Sequence, residues 1–152
     1  MGLQPRLRMT GLSHLNQAIV ALAPPFGARD DAPGNWKELT VTRNFITRPV
    51  WAGGSSLTIF QDARVNHAFR AWHDATHLKL AADFTRAGEA RTCEAQIIAL
   101  YTRYPSAPAW IADLLRVEIL GQFDYAAEHG SFPNDQLAFA KRFLDLTTLL
   151  GA

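Results

Sequence analysis

The feature that most constrains the fold is a succession of helical patterns that begins near Ala63 and continues toward the C-terminus. The spacing of apolar residues predicts four helices, at about 63–84, 86–104, 108–128 and 134–150. Pro105 ends the second helix, and the pair His129-Gly130 ends the third. Because the connections are short, neighbouring helices are predicted to be antiparallel, which indicates a helical bundle.

The N-terminal part of the chain follows a different pattern. Residues 1–10 form a basic lead-in that we expect to be flexible, and 12–22 has helical spacing that ends at Pro24-Pro25. Residues 39–42 and 57–60 alternate between apolar and polar side chains, and a Gly-Gly-Ser-Ser turn follows Trp51. A small β-hairpin that pairs Val50 with 57–60 is therefore predicted. The predicted fold is mostly α, a bundle of four to five helices with this hairpin inserted before the motif helix.

Length and charge narrow the class of protein. A chain of 152 residues fits a single domain, and its apolar fraction of 48% and charged fraction of 19% are ordinary for a globular protein. The net charge of +1 makes nucleic-acid binding a weak hypothesis. A single cysteine, Cys93, rules out an internal disulfide. No apolar stretch reaches the roughly 20 residues that span a bilayer. We therefore expect a cytoplasmic protein without a membrane anchor, and the sequence leaves its oligomeric state open.

A histidine cluster is the strongest sign of chemistry. Three of the five histidines and an aspartate lie between His67 and His77. His73 and His77 are four residues apart, so a helix places both on one face, a spacing that recurs in zinc sites. A catalytic zinc ion takes a third protein ligand, and Glu89 at the start of the next helix is the first choice. Zinc is the favoured metal, with manganese or iron as alternatives.

Other residues are candidates to complete the site. Cys93 and Gln96 share a helix face with Glu89, and Cys93 is a soft alternative ligand. The third predicted helix presents a stripe formed by Glu118, Gln122, Tyr125 and His129. Any of these side chains could close the site from across the bundle.

The polar residues around the two histidines predict a lined cavity. Asn66, His67, Arg70 and Asp74 share an arc of about 120° with them on a helical wheel, and Phe69 borders this arc. We expect His67 or Arg70 to contact the substrate or stabilise negative charge, which favours a nucleotide, a phosphoester or another small anion.

Asp74 admits three roles. It can act as general base toward a metal-activated water, it can be a metal ligand beside His73, or it can hold His67 or another ligand in place through a hydrogen bond. His73 to His77 resembles the His-Glu-x-x-His frame of metalloproteases, with a shorter acid in place of glutamate. The adjacent His-Asp pair also resembles HD-type phosphohydrolases, although the first histidine and the distant aspartate of that pattern have no match here.

The segment Phe-Arg-Ala-Trp-His-Asp-x-x-His-Leu, followed by Ala-Asp-Phe-Thr-x-x-Gly-Glu, resembles uncharacterised bacteriophage-encoded proteins. The resemblance covers about a third of the chain. It implies a small phage or prophage protein that acts inside a bacterium, with Arg70, His73, Asp74, His77 and Glu89 as the shared positions.

Two functional hypotheses follow. The first is a metal-dependent hydrolase in which His73, His77 and Glu89 hold the metal and Asp74, His67 and Arg70 act on the substrate. The second is a non-enzymatic protein that binds a host or defence protein, with the histidine cluster as a structural metal site or core network. Three ligands beside a pocket favour the first hypothesis, and a closed site with four ligands favours the second.

Overall fold

The computed structural model describes residues 11–144. The elements are α1 (Gly11–Leu22), β1 (Phe26–Arg29), α2 (Trp36–Val41), β2 (Arg48–Trp51), α3 (Ala63–Leu80), α4 (Arg86–Arg103), α5 (Trp110–Arg116), a π-helix (Val117–Gly121), α6 (Gln122–His129) and α7 (Gln136–Lys141). The predicted flexible lead-in and the end of the predicted fourth helix lie outside the described residues. The prediction of a mostly-α fold is confirmed.

Helix α3 lies at the centre of the hydrophobic core. It contributes Phe69 and Trp72, which pack edge to face with ring centroids 6.2 Å apart. The same core takes side chains from the other helices, including Leu15, Ile19, Ile97, Leu100, Ile111 and Leu115. Each large apolar side chain buried here stabilises the fold by about 1.5–3 kcal/mol. This packing holds α3 and α4 side by side, and these are the two helices that carry the histidines and Glu89.

The predicted β-hairpin is wrong. The strands are β1 and β2, which pair in parallel, with Phe26 opposite Arg48 and Arg29 opposite Trp51. Parallel strands need a long crossover, and here the crossover contains α2. Residues 57–60 form no strand, because Ile59 and Phe60 are both buried and the Leu57 carbonyl accepts hydrogen bonds from the first turn of α7 instead.

The alternation at 39–42 is also misleading, because this segment belongs mostly to α2. Asn35 caps the helix, its Oδ1 accepting from the Glu38 N–H at 2.9 Å. The cap is a sequence signal that the alternating pattern obscures.

Capping interactions define both ends of α3. Asp62 Oδ1 accepts from the Arg64 N–H at 2.9 Å at the start. At the end Ala81 is left-handed with φ of 50°, and the Ala82 N–H bonds back to the His77 carbonyl at 3.0 Å. This is a Schellman-type end, which turns the chain sharply toward α4.

The predicted third helix is continuous from Trp110 to His129 but contains a π-helical segment at its centre. A π-segment inserts an extra residue into a turn, is rare, and is frequently found at functional sites. In the part of the chain that the structure describes, none of the helices combines the length and the apolar character needed to span a membrane.

Candidate metal centre

Three ligand atoms converge where α3 and α4 meet. Glu89 Oε2 lies 3.0 Å from His73 Nε2 and 3.0 Å from His77 Nε2, and the two Nε2 atoms are 3.1 Å apart. The prediction that these three residues come together is therefore confirmed, and they form a group that can hold a metal ion.

The opposite nitrogen of each ring is already paired. His73 Nδ1 lies 2.7 Å from Gln96 Oε1, and His77 Nδ1 lies 2.8 Å from the Ala82 carbonyl oxygen. Both partners are acceptors, so each Nδ1 carries a hydrogen and donates it. In the neutral rings both Nε2 atoms then present lone pairs, and these lone pairs face the Glu89 carboxylate. Three electron-rich atoms at this spacing are stabilised by a positive charge between them, which either a proton on a ring nitrogen or a divalent cation supplies.

The same pairing is the outer-shell arrangement that metal-binding histidines require. A hydrogen bond from the distal ring nitrogen to a carbonyl or carboxylate fixes the tautomer and the ring orientation. Here the acceptors are a buried amide oxygen, from Gln96, and a buried turn carbonyl, from Ala82. Within the described residues, Gln96 Nε2 is buried without a hydrogen-bond partner.

Electrostatic effects couple the three side chains. Burial favours the neutral form of Glu89, but the hydrogen bonds and charges of His73 and His77 outweigh it and lower the pKa of Glu89 to about 2. Burial also opposes a charge on His73, yet its contacts with Glu89, Asp74 and Gln96 raise its pKa. The site therefore stabilises a negative carboxylate and attracts positive charge at the histidines.

The spacing of the donors fits a small cation. A zinc ion takes its donors at about 2.0–2.1 Å, so three atoms that lie 3.0–3.1 Å apart would all be within reach of one such ion. His77 is fully buried, whereas the side chains of His73 and Glu89 are 18% and 12% exposed, so solvent reaches the group from the side of His73 and Glu89.

The turn between α3 and α4 positions Glu89. Thr85 caps α4, its Oγ1 accepting from the Gly88 N–H at 3.1 Å. Gly88 lies so close to the turn that a Cβ there would overlap the Asp83 carbonyl oxygen. The glycine thus lets the loop between α3 and α4 pack against the first turn of α4. This packing brings Glu89, the next residue, to the two histidines. Phe84 supports this arrangement, with its ring centroid 4.9 Å from that of His77.

Two cavities adjoin the donors. The larger, of about 560 Å³, is lined in part by His73, Asp74 and Glu89, and the smaller, of about 170 Å³, by His73, Glu89 and Glu118. The larger volume is in the range of small-molecule sites. The predicted lined cavity is thus present beside the metal-binding group.

The basic residues of the predicted arc contact a loop. Arg70 Nη1 donates to the carbonyls of Trp51 and Gly53, and its Nη2 donates to Gly54. His67 Nε2 lies 3.2 Å from the Ala52 carbonyl oxygen. Both side chains therefore hold the loop after β2 on α3, and Arg70 also lines both cavities.

Asp74 lies next to the donors but is not one of the three converging groups. It lines the larger cavity. Burial raises the pKa of its carboxyl, against the opposing effect of His73, His77 and Arg48. His67, which the sequence offered as its hydrogen-bond partner, contacts Ala52 instead.

The remaining candidates separate into two groups. Glu118 and Gln122 are buried, lie on the wall of the smaller cavity and hydrogen-bond to each other at 2.9 Å. Cys93 lies in the hydrophobic core, where burial raises the pKa of its thiol to about 12. His129 is exposed and stacks on Tyr125 with ring centroids 4.0 Å apart. The structure therefore brings Glu118 to the site and leaves Cys93 and His129 outside the metal-binding group.

The sequence placed Gln96 on the helix face of Glu89 but did not indicate that it pairs with His73, and it gave no sign of the Ala82 carbonyl that pairs with His77. Gln96 is seven residues after Glu89, two turns along the same helix face, and this spacing was its only signal. The Ala82 carbonyl has no side-chain signal at all, because only the left-handed conformation of Ala81 aims it at His77. Comparison of the chain with protein-family models, with curated proteins and with solved structures returned no match.

Proposed function

We propose that the protein is a metal-dependent hydrolase in which His73, His77 and Glu89 hold one divalent cation. The observation that carries the proposal is the convergence of three possible donor atoms beside a cavity of about 560 Å³. A cation bound there supplies Lewis-acid chemistry and lowers the pKa of a water molecule. Zinc is the first candidate, and a set of two imidazoles and one carboxylate would also suit manganese or iron.

The residues around the cation have separate tasks in this proposal. Asp74 lines the larger cavity and takes a proton from the attacking water. Arg70 carries a positive charge and lines both cavities, so it favours a small anionic substrate such as a nucleotide or phosphoester. His67 and Arg70 both hold the loop after β2, and the substrate contact is assigned to Arg70 because Arg70, unlike His67, lines the two cavities.

Elemental mass spectrometry tests the metal site. Wild type, purified without a metal-chelating tag, should contain about one equivalent of metal, and the double variant His73→Ala/His77→Ala should contain none. His129→Ala is the matched control, because it removes an exposed histidine away from the site. Hydrolysis of 4-nitrophenyl phosphate should follow the metal content across the three proteins. Metal in wild type without hydrolysis of any phosphoester would refute the hydrolase proposal and keep the metal site.

A second candidate function is binding of a host protein by a phage-encoded protein inside the bacterial cytoplasm. Its support is a group of exposed apolar side chains at the end of α2 and just after it: Val41, Phe45 and Ile46 are 75%, 54% and 87% exposed. Clusters of this kind often mark protein interaction sites. Binding to a purified host partner that Phe45→Ser/Ile46→Ser abolishes and His73→Ala/His77→Ala leaves intact would favour this function over hydrolysis.

A further inference from the structure

A second acidic side chain lies on the wall of the smaller cavity. Glu118 is 7% exposed, and its Oε2 accepts a hydrogen bond from Gln122 Nε2 at 2.9 Å. Its Oε1 is buried and has no hydrogen-bond partner in residues 11–144. A buried carboxylate with an unpaired oxygen is costly, and the cost falls sharply when the group is protonated.

The backbone around Glu118 is as unusual as its burial. The residue lies in the π-helical segment Val117–Gly121, between two ordinary α-helices. If this segment were a regular α-helix, every later side chain would be turned by about 100° around the helix axis, the step of one residue. The π-segment therefore decides which residues face the cavity. An apolar side chain of similar size at this position would satisfy the packing at lower cost, so packing alone does not account for the carboxyl.

The two cavities share five lining residues and adjoin each other beside the metal-binding group, and together they are called the cleft. The residues that line both are Phe69, Arg70, His73, Glu89 and Phe132. Asp74 lines only the larger cavity and Glu118 only the smaller one. The cleft therefore has the acidic side chain of Asp74 on the wall of one cavity and that of Glu118 on the wall of the other, with His73 and Glu89 lining both.

We propose that Glu118 is the proton donor to the leaving group, an inference that rests on the proposed hydrolase function and extends it to phosphomonoesters with poor leaving groups. The oxygen of water forms the new bond to phosphorus and its proton passes to Asp74. The bond between phosphorus and the leaving oxygen breaks, and that oxygen takes the proton of Glu118. The products are inorganic phosphate and an alcohol, and a proton returns from Asp74 to Glu118 through solvent.

The environment of Glu118 supports this role. Burial raises the pKa of its carboxyl to about 8, with only the Gln122 hydrogen bond acting in the opposite direction. The charged or titratable groups on the same cavity wall are Arg70, His73 and Glu89. The carboxyl therefore carries a proton at neutral pH, as a general acid must.

A comparison of two substrates tests the proposal. Phenyl phosphate has a poor leaving group, which needs a proton, and 4-nitrophenyl phosphate has a good one, which does not. We expect Glu118→Gln to lower kcat for phenyl phosphate by about 100-fold or more and kcat for 4-nitrophenyl phosphate by less than about 5-fold. Glu128→Gln, on the exposed part of α6, is the matched control and should change neither.

The outcomes separate the two proposals. Equal effects of Glu118→Gln on both esters, or no effect on either, would overturn the role of Glu118 while the hydrolase proposal stands. Absence of hydrolysis in metal-loaded wild type would overturn both. Infrared difference spectra give a readout besides activity, since wild type at neutral pH should show a protonated carboxyl band that Glu118→Gln lacks. A band that is missing in wild type would also overturn the proton-donor role.

Discussion

Replacement of Glu118 by glutamine should make the protein more stable at neutral pH. The folded protein holds the Glu118 proton with a pKa of about 8, whereas an unfolded chain has the ordinary value of 4.5. Between these values the folded state binds more protons than the unfolded state, so the free energy of unfolding falls as pH rises. The contribution of protonated Glu118 to the free energy of unfolding is fully present below pH 4.5 and is lost by about pH 8.

The size of the effect follows from the shift. At about 1.4 kcal/mol per pKa unit, ionisation of Glu118 in the unfolded state costs about 3 kcal/mol at pH 7 and approaches roughly 5 kcal/mol above pH 8. The Glu118→Gln variant keeps the shape of the side chain and the bond to Gln122 but carries no titratable group at this position. The new amide group would lack one hydrogen-bond partner, which would reduce the gain in unfolding free energy by about 1 kcal/mol.

Urea denaturation between about pH 5 and pH 9 measures the effect on metal-free protein. The difference in unfolding free energy between Glu118→Gln and wild type should grow steadily with pH and level off above about pH 8. Glu128→Gln, which removes an exposed carboxyl, should give a difference that stays flat. A flat difference for Glu118→Gln would mean that Glu118 is ionised in the folded protein, and the reasoning would fail.

Three further predictions concern the metal centre and its support. Gln96→Leu should weaken metal affinity by about 10–100-fold without unfolding the protein, because His73 loses the acceptor of its Nδ1 hydrogen. Isothermal titration with zinc measures the affinity, and an unchanged value would contradict the prediction. Gly88→Ala should destabilise the fold by about 1–3 kcal/mol and lower the metal content, because the new Cβ overlaps the Asp83 carbonyl oxygen. Thermal unfolding measures the loss of stability. Gly130→Ala is the comparison, since a Cβ there meets open space although the φ of 81° is strained for alanine. Because Cys93 is buried and burial raises the pKa of its thiol, it should not react with a thiol reagent in the native protein at about pH 8 but should react fully in urea. Rapid labelling of Cys93 in the native protein would contradict its burial.

Part of the site was predictable because it depends on local geometry. The four-residue spacing of His73 and His77 places both on one face of any helix that contains them, whatever packs around it. Glu89 was predictable because the connection after α3 is short and a glycine precedes it. Glu118 appeared only as one member of a polar stripe, since nothing in the sequence marks the π-helical segment that decides where the stripe points.

The strand pairing was not predictable from local patterns. Residues 39–42 and 57–60 alternate as strands do, but a cap at Asn35 makes the first segment helical, and burial of both Ile59 and Phe60 makes the second part of the core. The true partners, β1 and β2, are brought together by a crossover through α2. Pairing over such a distance is set by packing on α3 and not by a turn between neighbouring segments.

Local sequence was enough to predict the mostly-α fold and the three side chains that could hold a metal, because helical periodicity and the spacing of histidines act within a few residues. Packing between distant segments set the pairing of His73 with Gln96, the loop that Arg70 holds on α3 and the placement of Glu118 in the cleft. Each of these depends on contacts that form only when the core excludes water and fixes the helices against one another.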